Sequence, residues 1–502
     1  MAFKIKLSLA VLLFFFLALP ANLALGTEEH EIDPELKTCK HQCMQQLQYT
    51  ESDKKKCKES CEKYHQMKKE REREIEKEAQ KRKEQEREEK GGLYKVTNHI
   101  EEQEEEEQQE EENPFVFHAK HFHTRVETED GSVRVLQKFT EKLLRGIENF
   151  RLAMVEAKGL AFISPLHFDS ETVLLILKGR AAIGWVKEDR TERFNLEAGD
   201  IIRIPAGTPH YAVNRNENEK LFIVLFHIPV STHGEFEAFY GPGGRDPQSI
   251  LTAFSWKVLE ASLKTPRKKL ERLFEKQEKG GIFWISREQV QALSKEREGP
   301  SIWPFGGQSR GVFNLFRQRP SISNQYGRLL EISPDDQREL EDLNLMLTFT
   351  NITSGSMTAP LYNSKATMIA LVIDGEGNFE MACPHISSGS KKKQSSSTYQ
   401  RISASLRPGV VFVVPAGHPF VTVASKKNNL QIICFVVNAR GNKRLTFAGK
   451  NNIVSAMDRQ AKELAFDVPA EKVDNVFDRV EQLFFPGPDN WEESEERGRA
   501  YA

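Results

Sequence analysis

Gly199-Asp-Ile-Ile-Arg-Ile-Pro-Ala-Gly207 is repeated, 210 residues farther along the chain, as Gly409-Val-Val-Phe-Val-Val-Pro-Ala-Gly417. In each copy a glycine opens a turn, a short apolar run follows with the length of a strand, and Pro-Ala-Gly turns the chain at the far end. Two copies of such a pattern predict a duplicated β fold.

The sequence on either side of each copy has the spacing of strands and turns that is typical of a β-barrel. Residues 151–228 contain short apolar runs separated by glycine turns, with no long helical pattern between them. Residues 345–437 repeat that spacing, and Pro165-Leu166 recurs as Pro360-Leu361. We therefore expect a mainly β protein with two homologous barrels.

A second repeat follows each barrel. Leu263-x2-Pro266-x2-Lys269-Leu270-x2-Leu273-Phe274 aligns without gaps with Phe466-x2-Pro469-x2-Lys472-Val473-x2-Val476-Phe477. In both copies proline begins a helix, and apolar residues recur at spacings of three and four. Such an apolar stripe must be covered, so we expect helical arms that are exchanged between subunits of an oligomer. The alternative is that each arm packs on its own barrel.

The chain begins with the features of a secretory signal. Residues 1–26 combine two lysines, an apolar run and small residues before a cleavage point, which predicts a signal peptide and entry into the secretory pathway. No later stretch is long and apolar enough to cross a bilayer, so no integral membrane segment is expected. The net charge of -2, from 71 basic and 73 acidic residues, provides no field suited to nucleic acid.

Residues 27–66 contain four of the six cysteines. The spacings Cys39-x3-Cys43 and Cys57-x3-Cys61 place each pair on one face of a helix. We pair Cys39 with Cys61 and Cys43 with Cys57, because both disulfides then join two antiparallel helices as rungs of one ladder. This disulfide-bonded helical hairpin is either a small defence or protease-inhibitor peptide or the brace of a propeptide.

A charged segment separates the hairpin from the folded sequence. Residues 67–112 are rich in charged and amide side chains, and from 101 to 112 every residue is Glu or Gln. This composition cannot build a core and predicts a disordered acidic spacer. We place the first barrel with its helical arm at 113–300, and the second barrel with its arm and a C-terminal tail at 301–502.

These features together resemble the vicilins, the 7S storage globulins of plant seeds. The first repeat continues to His210 and Asn214 as Gly-x5-Pro-x-Gly-x2-His-x3-Asn, the second signature of the cupin barrels. The Cys-x3-Cys hairpin, the Glu/Gln-rich spacer, Asn113-Pro114-Phe115 and Pro415-Ala-Gly-His-Pro419 are also similar to vicilins, including their sucrose-binding and antimicrobial-peptide branches. The resemblance implies two jelly-roll cupin barrels, a homotrimer joined through the helical arms, and deposition in the protein storage vacuole of the seed.

The resemblance also directs attention to metal ligands in the first barrel. Catalytic cupins hold a metal with three histidines and one carboxylate. The first barrel keeps His167, Glu171 and His210, but Pro165 occupies the position of the first histidine. These three residues are the weaker of two metal candidates, and the alternative is a partly buried histidine with a hydrogen-bonded partner.

The second barrel carries a different set of ligands. Cys383 and His385 are two residues apart and share one face of a strand, and His418 lies in a tight corner beside that face. One thiolate and two imidazoles predict a copper site, with zinc as the alternative. The resemblance implies a fourth ligand, a tyrosine, at the position of Phe115, for which Tyr362 or water would have to substitute. The competing interpretation makes Cys383 an apolar filler and His385 the start of a loop.

The predicted function is storage, by a trimeric protein that is not an enzyme. One alternative is a cupin that binds sucrose or a small anion, and a second is weak, metal-dependent dismutation of superoxide. Asn351-Ile-Thr353 is the only N-glycosylation sequon and lies in a predicted strand. Cys434 lies in an apolar strand and is predicted to be a core residue.

Overall fold

The structure is a computed structural model. It describes residues 113–140, 142–187, 190–241, 244–274, 276–295, 311–384, 399–449, 452–477 and 483–488, together with positions 52, 55, 57–59 and 62–63.

Twenty-seven strands in this described part form two similar barrels. The first half contains β1 (Val116–Phe117), β2 (Phe122–Thr128), β3 (Gly131–Leu136), β4 (Arg151–Ala157), β5 (Ala161–Phe168), β6 (Ser170–Lys178), β7 (Arg180–Lys187), β8 (Arg190–Glu197), β9 (Asp200–Ile204), β10 (His210–Asn214), β11 (Leu221–Pro229), β12 (Ala238–Tyr240) and β13 (Ile282–Trp284). The second half contains β14 (Val312–Asn314), β15 (Ile322–Asn324), β16 (Gly327–Ile332), β17 (Leu345–Ile352), β18 (Ser356–Thr358), β19 (Leu361–Asn363), β20 (Thr367–Asp374), β21 (Gly377–Cys383), β22 (Gln400–Leu406), β23 (Val411–Val414), β24 (Phe420–Ala424), β25 (Leu430–Val437), β26 (Arg444–Thr446) and β27 (Phe484–Pro486).

Each barrel consists of two antiparallel sheets with equivalent strand orders. The larger sheets run β14-β9-β6-β11-β4-β3-β2 in the first barrel and β1-β23-β20-β25-β17-β16-β15 in the second. The smaller sheets run β12-β5-β10-β7-β8, with β13 also on β5, and β22-β21-β24-β18-β27, with β19 joining β24 to β26. The predicted duplication of a mainly β barrel is therefore confirmed.

The repeated glycines occupy the turns that the sequence predicts. Gly199 and Gly409 have φ angles of 88° and 91°, and Gly207 and Gly417 have φ angles of 73° and 79°. These left-handed conformations strain residues that carry a Cβ atom, so glycine is the residue that fits at both ends of each strand. The apolar run between each pair of glycines forms β9 in one barrel and β23 in the other.

The two barrels exchange one edge strand each. Strand β1, at the start of the first half, pairs with β23 of the second barrel, where Val116 lies opposite Phe412. Strand β14, which precedes the second barrel, pairs with β9 of the first barrel, where Phe313 lies opposite Ile201. Each large sheet is thus completed by a strand from the other half of the chain.

Aromatic side chains join the two barrels in one core. Phe226 on β11 and Phe435 on β25 are fully buried, and their rings stack with centroids 4.6 Å apart and an angle of 3°. Both strands lie at the centre of the large sheet of their barrel. The two large sheets therefore face each other, and the apolar surface that they bury there holds the halves together.

Short helices accompany the strands. They are α1 (Trp256–Leu263), α2 (Arg267–Phe274), α3 (Arg287–Ser294), α4 (Arg338–Glu341), α5 (Arg459–Phe466) and α6 (Ala470–Phe477), with 3-10 turns at Ala119–His121, Lys142–Leu144 and Ile250–Ala253. Helices α2 and α6 begin directly after Pro266 and Pro469, as the sequence predicts. The helix pairs α1–α2 and α5–α6 form the two arms.

The predictions for the N-terminal region fall mostly outside the described residues. The signal peptide, the acidic spacer and the first helix of the hairpin belong to that part. Position 52 and residues 57–59 are helical, as expected of the second hairpin helix. Cys57 is disulfide-bonded, but its partner is not among the described residues, so the pairing stays a prediction. No helix in the described part of the chain has the length and apolar character needed to span a membrane.

Candidate functional site

Two of the predicted second-barrel ligands, Cys383 and His418, lie on neighbouring segments that pair antiparallel. Cys383 ends β21, and His418 lies in the corner two residues before β24. These strands pair antiparallel, and the ladder continues beyond β24, where the Ala382 N–H donates to the Pro419 carbonyl at 2.8 Å. The next pair in this register is Cys383 with His418, so their side chains share one face. Cys383 is fully buried and His418 nearly so.

A backbone carbonyl orients the ring of His418. Its Nδ1 lies 3.1 Å from the Ala416 carbonyl, and because a carbonyl only accepts hydrogen bonds, Nδ1 carries the hydrogen. The basic nitrogen is then Nε2. The thiol and this imidazole belong to the soft donors that copper and zinc prefer, so the two described ligands fit such a metal.

The position of the predicted fourth ligand holds a hydrocarbon ring. The Phe115 side chain is fully buried, with its ring centroid 6.3 Å from that of His418. Phenylalanine offers no oxygen to a metal. Tyr362, the suggested substitute, packs against Phe447 with 5.6 Å between ring centroids.

The third predicted ligand, His385, lies outside the described residues. Within the described residues, no three His, Cys, Asp or Glu side chains form a group that could hold a metal ion. The set of Cys383, His385 and His418 therefore stays a prediction.

The three candidate ligands of the first barrel each have other partners. Glu171 pairs with Arg203 at 2.8 Å, while the His167 ring stacks on Phe239 with centroids 5.0 Å apart. His210 Nδ1 lies 2.9 Å from the Thr208 carbonyl, and burial lowers the pKa of this histidine. The structure does not bring His167, Glu171 and His210 together as a ligand group.

A buried polar row in the first barrel was not predicted. His227 on β11 is fully buried, with Nδ1 3.0 Å from the hydroxyls of both Ser170 and Thr172. Its ring stacks on Phe236 with centroids 3.9 Å apart. The Arg151 guanidinium, also buried, donates to two backbone carbonyls beside it. A histidine inside the otherwise apolar run of β11 was the signal that could have identified this row.

The interior of the second barrel contains a cavity of about 240 Å³. Arg444 and Glu331 both line this cavity, and the Arg444 guanidinium donates a hydrogen bond to the Glu331 carboxylate. Cys434 also lines the cavity; burial, which outweighs a hydrogen bond from Thr348, raises the pKa of its thiol to about 12. Cys434 is thus the buried residue that the sequence predicts. Six neutral polar side chains complete the polar lining: Thr348, Thr350, Thr358, Thr422, Asn363 and Asn442.

The glycosylation candidate Asn351 lies on β17, as predicted, opposite Arg328 on one side and Gln431 on the other. Its side-chain oxygen is buried, with no hydrogen-bond partner among the described residues. Attachment of a glycan at this strand position stays a prediction.

Similarity to known proteins covers the whole chain. The cupin family profile matches residues 117–237 and 313–474. The sucrose-binding protein of Glycine max is 56% identical over 97% of both chains, and the vicilin Jug r 6.0101 of Juglans regia is 53% identical over the full length of both. The crystal structure of vicilin from Corylus avellana is 58% identical, with a TM-score of 0.71 over 75% of this chain and 100% of that one.

These similarities agree with the structure, in which two barrels carry helical arms and the same motif at equivalent positions. They extend through both halves of the chain at an identity far above the level at which only a fold is shared. The chain therefore belongs to the cupin family and, within it, to the vicilins or 7S globulins, of which the sucrose-binding proteins are a related branch.

Proposed function

We propose that this protein is a trimeric seed storage globulin, deposited in the protein storage vacuole and degraded during germination. The observation that carries the proposal is the similarity to vicilin along the full length of both chains. Vicilins are not enzymes, so superoxide dismutation is not retained as an alternative. The test is quantitative proteomics of maturing and germinating seed. The protein should accumulate before desiccation and fall on germination; constant abundance through germination would contradict storage.

The trimer is supported by apolar side chains on the helical arms. In the first arm Leu273 is 64% exposed, and in the second arm Leu464 and Val476 are 86% and 65% exposed. Other apolar residues of the first arm, Leu259, Leu270 and Phe274, pack among themselves. The outward residues would be costly to leave in water, and arms exchanged between subunits would cover them.

A metal site at Cys383, His385 and His418 is a second feature of the proposed function. It is supported by the antiparallel pairing of β21 with β24, whose register, continued past the bond from Ala382 to Pro419, sets Cys383 opposite His418. When bound there, copper or zinc would be held by these side chains and would protect the thiol. Metal analysis of untagged protein, with alkylation of Cys383, tests the site. Absence of both metals together with rapid alkylation would contradict it, and Cys434→Ser serves as the control because Cys434 belongs to another wall of the barrel.

Binding of a sugar or a small anion is the second candidate function. It is favoured by the sucrose-binding relative at 56% identity and by the cavity in the second barrel. Equilibrium dialysis of the purified full-length protein against sucrose tests it. A saturable isotherm at micromolar to low-millimolar concentrations supports sugar binding, and purely linear uptake contradicts sucrose as the ligand.

The N-terminal hairpin is proposed to be a separable peptide with the disulfides Cys39–Cys61 and Cys43–Cys57. Its support is the repeated Cys-x3-Cys spacing and the disulfide-bonded state of Cys57. Mass spectrometry of unreduced peptides tests the pairing. A peptide joining Cys39 to Cys57 would show the other connectivity.

A further inference from the structure

We infer that the cavity in the second barrel binds one neutral, hydroxyl-rich small molecule about the size of a single sugar ring. This inference rests on the proposed sugar-binding function and narrows it to a place, a size and a charge. Three properties of the cavity carry it: its volume, the charge balance of its wall, and the kinds of polar group that it presents.

The volume fits one ring. The 240 Å³ of the cavity lies just below the roughly 300–1,000 Å³ of pockets that take drug-sized ligands. That space suits a monosaccharide or a cyclic polyol. A disaccharide such as sucrose would need one of its rings outside the cavity.

The charges in the cavity wall cancel each other. The guanidinium of Arg444 donates to the carboxylate of Glu331, which also accepts a hydrogen bond from the Ser321 hydroxyl. A bound anion would have to compete with this carboxylate for Arg444, at the cost of leaving the partly buried Glu331 without its counter-charge. The Cys434 thiol is neutral as well, because its pKa lies far above physiological pH. The wall therefore favours an uncharged ligand.

Hydroxyl groups dominate the remaining polar lining. Four threonines face the cavity, and two of them, Thr358 and Thr422, have their hydroxyl oxygens 3.3 Å apart on neighbouring strands. A hydroxyl both donates and accepts hydrogen bonds, so a threonine wall can match the hydroxyls of a polyol in either direction. Phe412 and Phe420 supply apolar surface for the C–H face of a ring. A few polar groups on an otherwise apolar wall are the usual composition of a small-molecule site.

The corresponding region of the first barrel contains a different set of side chains. There His227 lies opposite Arg151 on β4 and opposite Thr172 on β6. Phe236 stacks on His227, and Phe168 meets it edge-on with centroids 4.8 Å apart. These aromatic rings occupy the barrel interior beside the polar row.

The second barrel replaces this filling with smaller or more flexible groups. Val436, at the position of His227, lies opposite Met346 and Met368, and all three line the cavity. Thr348 and Thr350 stand where the first barrel has Ala153 and Val155, both members of its apolar core. These two threonines of the cavity wall therefore have apolar counterparts in the first barrel, and the binding site is expected in the second.

The test is calorimetric titration of the full-length protein with glucose, sucrose and acetate. We expect glucose to bind at one site per chain, and Thr350→Val, which copies Val155, to weaken glucose binding about tenfold by removing one buried hydrogen bond. Thr350→Ser keeps the hydroxyl and should retain binding. Thr191→Val, on β8 of the first barrel, is the matched control and should bind glucose as the unmodified protein does. Circular dichroism and melting curves establish that each variant is folded.

The outcomes separate this inference from the broader proposals. Sucrose binding that Thr350→Val leaves unchanged would keep sugar binding and overturn the cavity as its site. Acetate binding without glucose binding would overturn the neutral ligand in favour of an anion. If none of the three probes binds, both the inference and the sugar-binding candidate fail, while storage is still tested by the abundance of the protein in seed.

Discussion

His227 is held in its neutral form by its position inside the first barrel. Burial lowers its pKa well below the ordinary value, and the neighbouring Arg151 guanidinium lowers it further. In the unfolded chain the same imidazole titrates near a pH of about 6.5. As pH falls, the unfolded state therefore takes up this proton first, and the stability contributed by neutral His227 is lost below about pH 6.5.

Replacing His227 by glutamine should flatten the pH dependence of stability. The free energy of unfolding of His227→Gln should fall less steeply than that of the unmodified protein, by up to about 1.4 kcal/mol for each pH unit below about 6.5. Urea denaturation at pH 7.5, 6.5 and 5.5 measures this difference. His123→Gln changes an exposed histidine and should leave the slope unaltered. Equal slopes for all three proteins would contradict the role of His227.

Single residues could be predicted from the sequence where a local pattern determines them. The left-handed glycines at both ends of β9 and β23 follow from a nine-residue motif, and the proximity of Cys383 to His418 follows from strand alternation and a tight corner. The polar row at His227 and the second-barrel cavity depend on side chains from many strands. Their shape is set by packing between distant segments, which no local spacing encodes.

The two helical arms have equivalent pairs of helices, but different interactions join the helices of each pair. Leu259 is a core residue of the first arm, whereas the aligned residue of the second arm is Lys462, which is only 7% exposed. Its ammonium group donates to Asp474 at 2.7 Å and to the Ser455 carbonyl at 2.9 Å. An ion pair thus connects α5 to α6 where apolar packing connects α1 to α2.

Removing the acidic partner should destabilise the second arm. Asp474→Asn leaves the buried ammonium of Lys462 without its counter-charge, and we expect a loss of about 1–3 kcal/mol, since Asp474 is itself partly exposed. Hydrogen exchange of the α5 and α6 amides reports the loss locally. Adding Lys462→Leu, which copies the first arm, should restore protection. A double variant less protected than Asp474→Asn alone would show that the charge is not the cause.

The exposed faces of the arms should control assembly. Leu464→Glu places a charge on the most exposed apolar side chain of α5, and we expect the trimer to dissociate into monomers because the charge would be buried in the exchanged contact. Light scattering coupled to size-exclusion chromatography measures the mass. Lys187→Glu, a charge reversal on β7 outside the arms, should leave the trimer intact. Trimers with Leu464→Glu would favour arms that pack on their own barrel.

At the scale of the whole molecule, the exchange of β1 and β14 makes the two barrels one structural unit. Neither barrel has a complete large sheet when its own half of the chain is considered alone. The sequence predicts two successive barrels, because duplication is visible in motif order. It does not predict the exchange, since β1 and β14 are runs of only two and three residues whose partners lie in the other half of the chain.

Cutting the connection between the halves should not separate them. After a protease site is inserted within residues 296–310 and its cleavage is verified by denaturing electrophoresis, we expect the two fragments to elute together, because β1, β14 and the stacked Phe226 and Phe435 still join them. Native chromatography followed by denaturing electrophoresis distinguishes the cases. Co-elution of the two fragments supports the strand exchange, and separate elution would contradict it.

The strand exchange also determines how long β1 must wait for its partner during translation. Val116 pairs with Phe412, 296 residues later, so β1 has no partner until most of the chain has been made. At roughly 5–20 residues per second, that delay is on the order of 15–60 s. During this interval a short apolar edge is available for wrong pairing with other nascent chains, a hazard that grows as elongation slows and as more chains are made at once. Translation speed and chaperone supply, rather than the stability of the finished barrels, would then limit the yield of native protein.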